Sequence, residues 1–229
     1  MKTLIIVDTQ FDFCDPRGAL YVPKAEEAVK NIAALIENPE KLGINKIILT
    51  VDWHPINHCS FKENGGNWPS HCVQYTKGAS IDQTIMDSLI KSRGLYNTIV
   101  KEDDYIFNSN GCDDLLGSGC VNVFKKGTLS NLEEYGAFDS YGKSNRYIIF
   151  QNQEQTNSIN VRFIEPQPIE EIIVCGVAGD YCVLETIKKL RVSELENKIS
   201  VFLPGIASID GGQKLEEYIK DAGIKTYAN

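Results

Sequence analysis

Short β-branched apolar runs alternate with amphipathic segments along this chain. Residues 3–7 (TLIIV) are continuously apolar, the pattern of a strand buried on both faces, and the run stops at Asp8. From Pro23 onward Ala25, Ala28, Val29, Ile32, Ala33 and Ile36 recur at three- and four-residue steps, which predicts a helix with one apolar face. Gly43 lies in the turn that follows. Residues 46–51 (KIILTV) read as a second buried strand, ending at Asp52. Strand, helix and strand in this order predict a right-handed parallel crossover.

Residues 53–80 are rich in His, Asn, Gly, Pro and Ser, and a loop of that length inside a compact domain points to function. A weaker helical pattern covers 81–93. Residues 121–124 read as a strand that runs into Lys125, Lys126 and Gly127. Residues 171–175 (EIIVC) form a further strand, followed by a turn between Gly176 and Gly179 and a predicted helix over 180–190. Closing strands at 199–203 and 224–227 flank a helix near 213–221. The alternation gives an α/β class with a mostly parallel sheet covered on both faces. Segments 101–119 and 142–168 carry no clear pattern, and the second reads as an insertion or lid. No repeat or linker divides the 229 residues, so a single domain over 1–229 is expected.

Composition narrows the class further. Apolar residues make up 42%, enough for a substantial core. The charge of −8, from 23 basic and 31 acidic side chains, argues against a nucleic-acid partner. No run of about 18 apolar residues is present, so no membrane span is expected. The opening MKTLIIVDTQ reads as a strand leading into an acid rather than a signal peptide. Seven cysteines without a C-x-x-C pair fit a reduced, cytoplasmic setting better than a disulfide framework. The three histidines, His54, His58 and His71, all fall in the one long loop.

Open parallel sheets build their sites beyond the carboxyl ends of the strands. Four reactive groups are expected there: Asp8, Asp52, Lys126 and, past the glycine turn, Cys182. A cysteine in the first turn of a helix meets unpaired N–H groups and a positive dipole, which favour a thiolate and can hold an oxyanion. The base for such a nucleophile is Asp8 or Lys126, because the histidines have another use. A buried strand-end carboxylate has its pKa raised by desolvation, and a neighbouring lysine opposes the rise. Asp52, His54 and His71 make a mixed carboxylate–imidazole set suited to Zn²⁺ above all, or to Fe²⁺ or Mn²⁺, with His58 and Ser60 near enough to approach the ion directly or through water. Phe13 and Trp68 are placed to stack on a flat ring.

The segments IIVDTQFDF at 5–13, TVDWHPINHCSF at 50–61, WPSHCV at 68–73, KGT at 126–128 and GVAGDYCV at 176–183 resemble the nicotinamidase branch of the isochorismatase-like cysteine hydrolases. The resemblance implies a three-layer α/β/α sandwich and hydrolysis of nicotinamide to nicotinate and ammonia, a step of NAD salvage. It implies a catalytic triad of Asp8, Lys126 and Cys182, and metal ligands Asp52, His54 and His71, with the metal holding the pyridine nitrogen. It also implies an oxyanion hole from the N–H groups of Ala178 and Cys182, a cis peptide between Val177 and Ala178, and ring contacts from Phe13, Trp68 and Tyr135. Ser60 aligns with the variable fourth metal position. Gly179 and Gly136 stand where the family carries Thr and Ser. A small-molecule substrate is therefore expected, and a homo-oligomer remains open. Rival readings are a hydrolase of the same fold acting on another small amide or carbamoyl compound, an inactive binding module, and a structural zinc protein.

Overall fold

The structure is a computed structural model that describes residues 2–92, 112–114, 121–138, 169–191 and 195–228. Its strands are β1 Lys2–Val7, β2 Ile44–Asp52, β3 Cys112–Asp114, β4 Val121–Lys126, β5 Glu171–Gly176, β6 Ile199–Ile206 and β7 Lys225–Tyr227. They form one sheet in the order β3-β4-β2-β1-β5-β6-β7. Every pairing is parallel except β3 with β4. Val7 pairs with Thr50 on one side and Gly176 on the other, and Asp52 pairs with Lys126. The register thus brings the carboxyl ends of β1, β2, β4 and β5 to one edge.

The helices are α1 Phe11–Cys14, α2 Ala25–Glu37, α3 Gln83–Lys91, α4 Leu184–Arg191 and α5 Gln213–Asp221. The period-two alternation of the strands sorts their side chains onto two faces. Leu4, Ile6, Ile47, Leu49 and Ile173 pack with Val29, Ile32 and Ile36 of α2 and with Ile85 and Leu89 of α3. Ile5, Val7, Ile48, Ile172 and Val174 face the other way, toward Ile187 and Leu190 of α4 and Leu215 and Ile219 of α5. The result is the expected α/β/α sandwich. Burying each of these aliphatic side chains stabilises it by about 1.5–3 kcal/mol relative to exposure. Asp82 caps α3 by accepting the Thr84 N–H at 2.8 Å.

Several boundaries differ from the sequence reading. Pro23 lies outside α2, which begins at Ala25 after Lys24 in a left-handed conformation. The predicted helix over 180–190 is two pieces: a π-helical turn at Gly179–Val183, then α4. The chain enters that turn through a cis peptide between Val177 and Ala178. Helix α1 and the edge strand β3 had no counterpart in the pattern. Segment 142–168, read as an insertion or lid, lies outside the described residues, as does most of 101–119. No helix among the described residues is long and apolar enough to cross a membrane.

Glu171 ties three strands together at the opposite end of the sheet. It accepts hydrogen bonds from Lys225 Nζ at 2.9 Å and Tyr227 OH at 2.8 Å, and it pairs with Lys2 Nζ at 3.2 Å. Burial alone would raise its carboxyl pKa, but these contacts outweigh it and hold the group down at about 2. Its stabilisation is therefore complete above the unfolded value of about 4.3 and is lost as pH falls through about 2. After solvent screening, Glu171→Gln should cost about 1 kcal/mol at pH 7. Urea melts should show that difference narrowing as pH falls from about 5 toward 2; a gap independent of pH would contradict the assignment.

Candidate active site

The sheet order reverses around β1, with β2 and β4 on one side and β5 and β6 on the other. That is where an open parallel sheet leaves a crevice. Asp8 follows β1, Asp52 ends β2, Lys126 ends β4 and Cys182 sits in the turn after β5. All four are buried. Lys126 is the hub. Its Nζ lies 2.8 Å from Asp8 Oδ2, donates to Asp52 Oδ1 and to the Glu134 carbonyl at 3.3 Å, and contacts Cys182 Sγ at 3.5 Å. Thr50 donates its hydroxyl to Asp8 Oδ1 at 2.7 Å. Asp8 Oδ2 is held in that ion pair with the Lys126 ammonium. Donor atoms of Asp8, Asp52 and Cys182 all lie within 4.8 Å of one another.

Burial raises the Asp8 carboxyl pKa, the Lys126 charge pulls it back and the Asp52 charge adds to the rise; the net direction is up. Burial would discharge Lys126, but the Asp52 and Asp8 carboxylates reverse this and hold it firmly protonated. Burial pushes the Cys182 thiol well up, and the pull of Lys126 does not overcome it. This corrects the expectation of a helix-stabilised thiolate. Helix α4 starts only at Leu184, and desolvation exceeds the pull of the Lys126 charge. A resting thiol needs a base beside it, and the Asp8 carboxylate is in place.

On the other side of Lys126 stand Asp52, His54 and His71, whose donor atoms also lie within 4.8 Å of one another. Asp52 Oδ2 is 3.5 Å from His54 Nε2 and 4.0 Å from His71 Nε2. Nδ1 of His54 faces the Gly127 carbonyl at 2.9 Å, and Nδ1 of His71 faces the Pro69 carbonyl at 2.8 Å. Carbonyls only accept, so each Nδ1 carries a proton and each Nε2 faces Asp52; burial lowers the His71 pKa, whereas at His54 burial is outweighed by the Asp52 carboxylate, which raises it. Two imidazoles and a carboxylate with prearranged donor atoms fit a divalent cation. Gly127 has φ +62°, and a Cβ there would lie 2.5 Å from His54 Nδ1, so glycine is needed for this contact.

His58 and Ser60 lie outside that cluster of donor atoms. His58 Nε2 donates to the Leu132 carbonyl at 3.0 Å, and Nδ1 accepts the Ser60 hydroxyl at 2.7 Å, so both nitrogens are occupied. The ring stacks on His54 at 4.0 Å, and burial lowers its pKa to about 4. It braces His54 as a neutral ring.

A cleft with about 400 Å³ of unfilled space, part of it open to solvent, joins the two halves. Cys182, Ala178, Asp52 and His71 line it together with Phe13, Trp68 and Tyr135. The Trp68 indole donates to Tyr135 OH at 2.9 Å and meets the Tyr181 ring edge-on at 5.1 Å. Among the described residues, no hydrogen bond outside the turn itself takes up the N–H of Ala178 or Cys182.

Residues 2–91 match the family model of the Isochorismatase domain. A nicotinamidase of Saccharomyces cerevisiae is 26% identical over 245 residues, covering 96% of this chain and 94% of its own. The yeast nicotinamidase structure aligns over the whole of both chains with a TM-score of 0.70 at 25% identity. The chain thus matches the Isochorismatase domain over its first 91 residues and is similar to nicotinamidases along its whole length. A second structure, from L. infantum and in complex with nicotinate, is 26% identical with a TM-score of 0.66, over 99% of this chain and 92% of its own. A pyrazinamidase of Pyrococcus horikoshii in complex with zinc is 26% identical with a TM-score of 0.64, over 100% of this chain and 99% of its own.

The two glycines that stand where the resembled family carries Thr and Ser have steric reasons. A Cβ on Gly179 would lie 2.1 Å from the buried Ser208 hydroxyl, which fills that space. A Cβ on Gly136 would lie 2.7 Å from the backbone of Glu185 in α4. Sequence reasoning missed Thr50, Tyr181, Gln10 and Asp12 within the site. The one available signal was polar residues packed between Asp8 and Phe13, where a strand end enters a core helix.

Lys126→Met leaves two buried carboxylates without their cation and should cost about 3–5 kcal/mol in denaturant unfolding, with Lys126→Arg costing less. A loss under about 1 kcal/mol for Lys126→Met would show that the lysine is not the charge holding Asp8 and Asp52 together.

Proposed function

We propose that this protein hydrolyses nicotinamide to nicotinate and ammonia, with Asp8, Lys126 and Cys182 as the catalytic triad and Zn²⁺ held by Asp52, His54 and His71. One observation carries the reading. An aromatic-lined cleft has Cys182, Asp52 and His71 on its wall, with Asp8, Lys126 and His54 buried behind them and Lys126 bridging the two clusters. A flat ring with a carboxamide at one end and a lone-pair nitrogen at the other matches that pairing. The relatives bound to nicotinate and to zinc support it. The cation, when bound, supplies a Lewis acid for the ring nitrogen and so fixes the direction of the ring.

The chemistry then belongs to the chain's own residues. Phe13, Trp68 and Tyr135 hold the ring and exclude water from its faces. Asp8 takes the thiol proton as Cys182 sulfur bonds to the carboxamide carbon, and the carbonyl electron pair moves onto oxygen. The N–H groups of Ala178 and Cys182 receive that oxyanion. As the pair returns, the C–N bond breaks, Asp8 delivers its proton to nitrogen and ammonia leaves a thioester on Cys182. Water then gives a proton to Asp8 and adds to the thioester. The C–S bond breaks, sulfur regains the proton from Asp8, and the acid departs. Lys126 stays charged throughout and keeps Asp8 facing the sulfur.

Ammonia release from nicotinamide tests this directly. Cys182→Ala and Asp8→Asn should each lower turnover by at least about 10³-fold, while calorimetry with Cys182→Ala still reads nicotinamide binding. Near-normal ammonia release by Cys182→Ala would eliminate the covalent scheme. Dialysis against a chelator should raise KM for nicotinamide, and Zn²⁺ should restore it; full activity in the metal-free protein would remove the cation from the account.

A further inference from the structure

Two buried side chains that no catalytic step uses sit inside the site. Gln10 lies two residues past Asp8 and is 0% exposed. Its carboxamide runs edge to edge with the Asp52 backbone: Nε2 donates to Asp52 O at 2.8 Å, and Oε1 accepts the Asp52 N–H at 2.7 Å. The second Nε2 proton goes to Ala79 O at 2.9 Å. A side chain paired this way copies a neighbouring strand. It fixes the backbone from which the Asp52 carboxylate projects.

Asp12, two residues further on, does the same for the other ligand loop. Its Oδ2 accepts the Cys72 N–H at 2.7 Å, and its Oδ1 accepts the Ala19 N–H at 3.1 Å. Cys72 follows His71 and has φ +45°. That left-handed conformation is strained for a residue with a Cβ. The bond to Asp12 opposes the strain and holds the turn that aims His71. Gly78 leaves room for the carboxylate, since a Cβ there would lie 2.0 Å from Asp12 Oδ2.

We infer that Gln10 and Asp12 are positioning residues for the cation site, setting the backbone from which Asp52 and His71 present their donor atoms. This rests on the proposed reading of Asp52, His54 and His71 as ligands. Loss of either side chain frees a ligand's backbone without removing a donor atom. Outer partners of this kind typically change metal affinity about 10–100-fold.

The test is Zn²⁺ affinity of the metal-stripped full chain, measured by competition with a chromogenic chelator. Gln10→Glu keeps the shape but sets an oxygen against the Asp52 and Ala79 carbonyls. It and Asp12→Ala should each bind Zn²⁺ about 10–100-fold more weakly. Asp12→Asn, whose carbonyl oxygen still accepts the Cys72 N–H, should stay within a few-fold of wild type. Ile219→Ala, a destabilised control in α5 on the opposite face, should not change affinity. A merely structural role would lower the melting temperature of the metal-free variants and leave their Zn²⁺ affinity at the wild-type value. That result overturns the inference, and Gln10→Glu alone decides it if Asp12→Ala does not fold. A wild-type chain that takes up no Zn²⁺ overturns the ligand reading and this inference together; wild-type binding with all variants equal overturns only the inference.

Discussion

One buried ammonium group organises this molecule's site. Lys126 Nζ, withdrawn from water at the end of β4, is compensated by two carboxylates that are buried as deeply. Removing Lys126 strands two carboxylates in a low-dielectric interior, where an unpaired ion is far more costly than a lost surface contact. The three groups therefore hold one another in register. Because Asp8 leads to the thiol of Cys182 and Asp52 leads to His54 and His71, the same ion cluster sets the spacing between the buried thiol and the two imidazoles, which the proposed function reads as nucleophile and cation ligands.

The sheet makes that cluster easy to build. Parallel strands deliver their carboxyl ends to one edge, and the order reverses around β1, so four consecutive strand ends open on a common crevice. The cost appears as local strain. Asp8 and Cys72 both carry positive φ without being glycine, and each is over-determined by hydrogen bonds from neighbouring segments. Burial also leaves the sulfur as a thiol at rest, so the proposed reaction depends on a base in contact rather than on a standing thiolate.

Much of this was legible in the sequence, for identifiable reasons. Residues 3–7 and 46–51 are apolar on both faces, and only a covered parallel strand satisfies that pattern. The carboxylates at the ends of those runs therefore had to meet at one edge. Helix α5 matched its predicted span because its apolar residues recur cleanly over two turns. The division of 180–190 into a π-helical turn and α4 was not legible, because both pieces share one apolar periodicity. Gln10 and Asp12 were missed since their partners are backbone groups of distant loops, and a single sequence carries no sign of such pairs. His58 looked like a donor by composition. Its two nitrogens are taken by Ser60 and Leu132, which only coordinates reveal.

The claim at the centre is that the ion cluster spaces the thiol and the cation donors for one ring. A crystal structure of the zinc-loaded protein with pyridine-3-carbaldehyde measures both ends at once. The expected result is a bond from Cys182 sulfur to the aldehyde carbon, with the ring between Phe13 and Trp68 and its nitrogen toward Asp52, His54 and His71. An aldehyde bonded to another cysteine, or a ring whose nitrogen points to solvent while the carbonyl end stays at Cys182, would contradict it.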